Sequence, residues 1–202
     1  IQRTAAVNAS VAHCPSIFSY WNPDPETQWT PVPELRTAGV DVGLGIDDHY
    51  WHDSYNLFGE ARQARLAANL KRSTGQFSSM ELVRMLTIEG ARALGLADEI
   101  GSIEPGKRAD LILLDMDDPK FTPLTNIPAH VANNATPADV ETVIVNGNML
   151  MDDGPIRTMD SDAVRVRVQS AVDRFESETN WELDIGGSDP PRMMEVVRDI
   201  PT

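Results

Sequence analysis

The stretch Val40-Asp41-Val42-Gly43-Leu44-Gly45-Ile46-Asp47-Asp48-His49 constrains this chain more than any other. Val40, Val42, Leu44 and Ile46 alternate with small or polar residues, which is strand periodicity, and β-branched side chains suit a pleated backbone. The apolar run stops at Asp47 and passes into residues rich in His and Asp. An acidic residue at the carboxyl end of a buried strand is where α/β barrels place their chemistry. Two readings of Asp47 follow from position alone. Its carboxylate can ligate a divalent metal with one oxygen and accept a proton from water with the other. Equally, it can cap the following helix or close a turn.

A second strand is expected at Ser10-Val11-Ala12-His13, ending just before Cys14-Pro15-Ser16. A long loop rich in Pro, Trp and Asn follows, from Tyr20 to Thr30. Pro31 to Gly39 reads as a short helix with prolines in its first turn and Gly39 as its C-cap. One helix is expected from about Ser54 to Lys71. Another, capped by Ser78 or Ser79, should run to Leu94 and stop before Gly95. Strand, helix, strand, helix, helix is the rhythm of a parallel sheet with crossover helices, yet two strands cannot close a barrel.

After residue 100 the pattern changes. Arg108–Asp115 is a nearly continuous apolar strand preceded by the turn Glu104-Pro105-Gly106-Lys107. Val140–Val145 and Asn148–Met151 flank Asn146-Gly147, a pair suited to the two positive φ angles of a type I′ hairpin. Asp162–Glu178 should form an amphipathic helix with Val164, Val168, Val172 and Phe175 along one side. The last twenty residues, rich in Gly, Pro and Asp, are expected to be poorly ordered. The start, Ile1-Gln2-Arg3-Thr4-Ala5-Ala6, lacks an initiator Met and reads as the tail of a helix under way. The chain is therefore expected to be the C-terminal part of something longer.

A net charge of −14 disfavours nucleic acid and anionic membranes. The single Cys14 rules out a disulfide within the chain and fits a reducing, cytoplasmic setting. No apolar run approaches the ~20 residues that span a bilayer.

His13, at a strand end, should lie on the same sheet edge as Asp47 and can serve as a metal ligand, a proton carrier or a pocket residue. His49 and His52, three apart in a stretch whose flanking residues read as loop, can hold a metal as a pair or sit on a loop facing substrate or solvent. His130, beside Pro128 and two asparagines, reads as a surface loop residue. Trp21, Trp29 and Trp51 can wall a planar ligand or simply cover the core. Cys14 as a nucleophile would need a base beside it, and His13, adjacent along a strand, points to the opposite face. There is no G-x-G-x-x-G, P-loop, G-x-S-x-G, C-x-x-C or H-x-H.

Taken in order, several segments resemble the amidohydrolase superfamily, in its deaminase and chlorohydrolase branch. Val11-Ala12-His13-Cys14-Pro15-Ser16 is similar to the seventh barrel strand of that family, with its His-Cys-Pro signature. Gly43-Leu44-Gly45-Ile46-Asp47-Asp48 is similar to the eighth, whose aspartate binds metal. Leu86-Thr87-Ile88-Glu89-Gly90-Ala91-Arg92-Ala93-Leu94-Gly95 resembles the helix that follows. Gly101-Ser102-Ile103-Glu104-Pro105-Gly106-Lys107-Arg108-Ala109-Asp110-Leu111 resembles the return into a β-sandwich, and Val143-Ile144-Val145-Asn146-Gly147 that domain's final hairpin.

The resemblance implies an α/β fold: the C-terminal part of a (β/α)8 TIM barrel over residues 1–100, part of a small β-sandwich over 101–155, and a helix and tail over 156–202. It implies a hydrolase of non-peptide carbon–nitrogen bonds that deaminates an amino-substituted heterocycle. Asp47 would be metal ligand and proton shuttle for a water on zinc, or on iron, and His13 and His49 would contact substrate. A cyclic-amide hydrolase and a non-catalytic scaffold relative remain alternatives, and a homo-oligomer stays open. Two departures stand out. Ile17-Phe18 follows Ser16 where the family usually has Asn, and the family's remaining metal ligands have no counterpart here. This piece alone is therefore expected to be inactive.

Overall fold

The computed structural model describes residues 1–21, 30–47, 55–72 and 77–179. The expectations for His49, His52, Trp29, Trp51 and the last twenty residues lie outside the described residues, as does most of the loop from Tyr20 to Thr30. Trp21 ends a helix, but its side chain is not among those described. The chain divides into two compact units, Ile1–Thr158 and Met159–Thr202.

The first unit begins with α1 (Gln2–Ala6), β1 (Val11–His13), α2 (Pro15–Trp21), α3 (Val32–Thr37) and β2 (Val42–Leu44). Strands β1 and β2 pair in parallel, with Val11 opposite Val42 and His13 opposite Leu44. Parallel strands need a crossover between them, and the segment holding α2 and α3 is that crossover.

The second strand is shorter than the apolar alternation from Val40 to Ile46 predicted. Val40 belongs instead to the end of α3. Gly39, at φ +83°, donates its N–H to the Arg36 carbonyl, and Val40 donates to that of Leu35. That is a Schellman motif. It consumes the Val40 N–H that a ladder would have used, and it buries Val40 beside Leu35 in the core.

Three helices follow: α4 (Leu57–Arg72), α5 (Ser79–Leu86) and α6 (Ile88–Ala93). Ser78 is the N-cap of α5, in a reciprocal capping box with Glu81. The sequence predicted one helix through Leu94; the structure breaks it at Thr87, whose φ of −126° and ψ of −103° are not helical. The Thr87 hydroxyl donates back to the Val83 carbonyl at 2.7 Å, a bond that competes with helix continuation.

The break lets α6 lie against β2. A Cβ built on Gly43 would sit 2.9 Å from the Gly90 Cα, so two glycines set the approach of strand and helix. Arg36 fastens the same region, donating through Nε and Nη2 to Glu89 and through Nη1 to Glu81; Arg84 Nε adds a further bond to Glu89. The core under β2 gathers Val32, Val42, Ala64, Leu82 and Met85.

Beyond residue 100 the chain forms an antiparallel sheet ordered β3 (Leu111–Leu114), β4 (Val140–Val145), β5 (Asn148–Asp152), with α7 (Ile127–Asn133) between β3 and β4. The hairpin turn has Asn146 at φ +49° and Gly147 at φ +77°, the type I′ signature. Asp110 accepts the Asn146 N–H, and Gly147 N–H donates to the Ala109 carbonyl, so the residues leading into β3 hold the turn.

His130 is not a loop residue. It lies in α7, which Asn126 caps by accepting the Ala129 N–H and which carries a proline in its first turn. Its ring meets Phe121 edge-on at 5.9 Å.

The second unit contains α8 (Ser161–Thr179), which is exposed along most of its length, including Val164, Val168 and Phe175 on its apolar side. Among the described residues, no helix is long and apolar enough to cross a membrane.

Two stability measurements check this packing. Gly43→Ala should cost about 2–3 kcal/mol in urea unfolding, because the methyl group meets backbone. Gly39→Ala meets nothing within 4 Å and should cost about 1 kcal/mol, for its positive φ alone. An equal cost at both positions would mean that Gly43 is not a close-approach site. A pH series tests the Arg36 cluster. Burial raises the Glu81 pKa, but the Ser78 hydroxyl, the Ser78 N–H and Arg36 outweigh it, and the net shift is downward. A carboxyl depressed in the folded state stabilises above its ordinary range and loses that contribution as pH falls through its folded value. The gap in urea midpoint between wild type and Glu81→Gln should thus be full at about pH 6 and close below about pH 4.

Candidate functional site

Because β1 and β2 run in the same direction and in register, their carboxyl ends share one edge. The Gly45 N–H donates to the His13 carbonyl at 2.9 Å, carrying the pairing one residue past β2. The chain then reaches Asp47, exposed and at φ +63°. Positive φ disfavours most side chains, but aspartate is among the residues that adopt it most readily.

His13 faces the opposite environment, only 1 % exposed. Burial depresses its pKa to about 4, so its imidazole is neutral at neutral pH. The edge therefore brings together a buried neutral imidazole at one strand end and an exposed acid just beyond the other. His49, the third expected site residue, lies outside the described residues.

Cys14 is buried, and its thiol sits where a side chain at Gly45 would otherwise lie: a Cβ built on Gly45 would be 3.0 Å from the Cys14 Sγ. Burial raises the thiol pKa to about 11, with the charges of Asp47 and then Glu60 adding to the shift. The thiol is protonated at neutral pH and not poised as a nucleophile.

Glu60 was not among the residues singled out from the sequence. It lies in the first turn of α4, buried, and accepts both the N–H and the hydroxyl of Ser16. One signal was present: a carboxylate immediately before Ala61 and Ala64, which form the buried face of α4. Acidic residues in the first turn of a helix are common, however, and the Ser16 contact spans the whole crossover.

Among the described residues, no group of three or more His, Cys, Asp or Glu side chains is placed to hold a metal ion. A catalytic zinc takes about three protein ligands. The described residues alone therefore do not make such a centre, although Asp47 has the donor chemistry for one ligand.

The amidohydrolase family model matches residues 1–150. The chain is 42% identical over 130 residues to a 5-methylthioadenosine/S-adenosylhomocysteine deaminase of Desulfitobacterium hafniense, covering 64% of this chain and 30% of that protein. It is 40% identical over 124 residues to an S-triazine hydrolase of Gordonia rubripertincta, covering 61% of this chain and 26% of that one. Among solved structures, an adenosine deaminase from Xanthomonas campestris with bound zinc superposes with a TM-score of 0.76 at 28% identity, covering 83% of this chain and 38% of that one. The chain thus spans about a third of the length of the relatives it matches. On the match over residues 1–150, this chain belongs to the amidohydrolase family.

Proposed function

We propose that the protein is a metal-dependent hydrolase of non-peptide carbon–nitrogen bonds, deaminating an amino-substituted heterocycle of the adenine nucleoside type. The observation that carries this reading is that buried His13 ends β1 while exposed Asp47 follows β2, the strand paired with it in parallel, in a chain 42% identical over 130 residues to a methylthioadenosine/S-adenosylhomocysteine deaminase. The same likeness supports reading β1 and β2 as the C-terminal strands of a (β/α)8 barrel, and β3, β4 and β5 as part of a small β-sandwich.

In the overall reaction, water adds to the ring carbon that bears the amino group. The carbon–nitrogen bond breaks, one proton from the water completes the departing ammonia, and the other stays on the product ring, whose carbon now carries the oxygen. Asp47 has the exposure to accept a proton from that water and return it to the departing amine. His13 would line the pocket, its neutral ring able to donate one hydrogen bond and accept another. We assign Asp47 as one ligand of a divalent metal, most readily zinc, given the zinc in the Xanthomonas campestris structure. The other ligands are not among the described residues, so activity and metal binding are proposed for the whole enzyme and not for these residues alone.

Asp47→Asn tests the assignment in the full-length protein. Asparagine tolerates positive φ as aspartate does, so the melting temperatures of the two metal-free proteins should differ little. Ammonia release from methylthioadenosine, S-adenosylhomocysteine, adenosine and an aminotriazine should fall roughly a hundredfold or more, with loss of bound metal. Unchanged turnover and metal content would overturn the role given to Asp47.

A further inference from the structure

Helix α2 takes its N-terminal acceptor from another element. Cys14 stands at the N-cap, its carbonyl accepting the Phe18 N–H at 3.4 Å, but a thiol accepts hydrogen bonds weakly. Pro15, at the first helical position, has no N–H to satisfy, so Ser16 presents the first orphan donor. Glu60 answers it. Ser16 N donates to Oε2 at 3.1 Å, and the Ser16 hydroxyl to Oε1 at 2.5 Å. The helix dipole adds to the attraction for a carboxylate at this end.

This carboxylate is only 4 % exposed. Burying an acid is costly, and an apolar contact between α2 and α4 would avoid that cost. The start of α4 is itself pinned, because Asn56 Oδ1 accepts the Gly59 N–H at 2.9 Å. Glu60 thus joins two pinned points. One is the turn immediately after His13, and the other is the first turn of the helix that follows Asp47 in the chain. The Cys14 thiol, two residues before Ser16, packs over Gly45.

On the reading above that this strand edge faces the substrate, we propose that Glu60 is a positioning residue, holding the turn behind His13 against α4 and so fixing the two strand ends relative to each other. It touches neither substrate nor reacting atoms. A positioning role differs from a purely stabilising one in its kinetic signature. Displacement of the His13 turn weakens substrate binding while leaving Asp47 and any metal in place.

The test uses the full-length enzyme and the panel compound that it deaminates fastest, with Glu60→Ala, Glu60→Gln, Ser16→Ala and the Glu60→Ala/Ser16→Ala pair. Glu60→Ala should raise KM roughly tenfold, the size expected for losing a hydrogen bond to a charged group, with a smaller change in kcat and unchanged metal content. Glu60→Gln keeps an acceptor for the Ser16 N–H and should restore most of the KM. Adding Ser16→Ala to Glu60→Ala should have no further effect. Alkylation of Cys14 by iodoacetamide, followed on its own peptide by mass spectrometry, should be faster in Glu60→Ala than in Glu60→Gln, because both variants lose the charge that raises the thiol pKa and only the alanine variant also frees the turn.

Wild-type KM and alkylation rate in Glu60→Ala would overturn the proposal. So would a loss shared equally by Glu60→Gln and Glu60→Ala that follows melting temperature or metal content. If the wild type neither holds metal nor releases ammonia, the deaminase reading falls, and Cys14 alkylation alone decides the role of Glu60. If Glu60→Ala does not fold, Ser16→Ala decides it, with a smaller rise in KM supporting the role and an unchanged KM and alkylation rate overturning it.

Discussion

The distance of closest approach between β2 and α6 governs the first unit. With Gly43 against Gly90 the helix backbone rests almost directly on the strand, leaving no room for side chains between them. Such a contact has little apolar surface to hold it, so adhesion must come from its margins. The Arg36, Glu81, Glu89 and Arg84 cluster supplies it on one side, and the apolar core around Val42 and Met85 on the other. The break at Thr87 follows from the same demand, because an unbroken helix would carry Gly90 along the axis of α5 and away from the strand.

Much of this was legible in the residues. Alternation located the second parallel strand, Asn146-Gly147 specified the hairpin, and a serine at 78 or 79 announced the start of α5. These signals are local, carried by a few adjacent residues whose backbone needs are special. The strand edge carrying His13 and Asp47 could be read for the same reason, since each residue closes a recognisable apolar run.

What stayed hidden depends on which of two available partners a group takes, or on a partner far away in sequence. Nothing local at Val40 distinguishes a strand residue from the closing residue of a Schellman motif; its N–H simply bonds backward to Leu35 before β2 can claim it. Thr87 looks like any helical threonine until its hydroxyl is seen to turn back on Val83. His130 was placed in a loop because its neighbours are Pro and Asn, yet here those residues start a helix. Glu60 reads as an ordinary first-turn acid because the group that it serves, Ser16, lies across an entire crossover.

The positive φ of Asp47 also limits the chemical alphabet open to that position. A left-handed backbone admits Gly, Asn and Asp at little cost, His less readily, and β-branched or long side chains only under strain. Among these, Asp is the one that carries a carboxylate. Glutamate would offer the same carboxylate one methylene further out, but on a backbone that resists it. The fold at this strand end has therefore narrowed the choice of acid to the shorter of the two. Drift at position 47 would lead first toward Asn or Gly, both of which keep the loop's shape and abandon its charge.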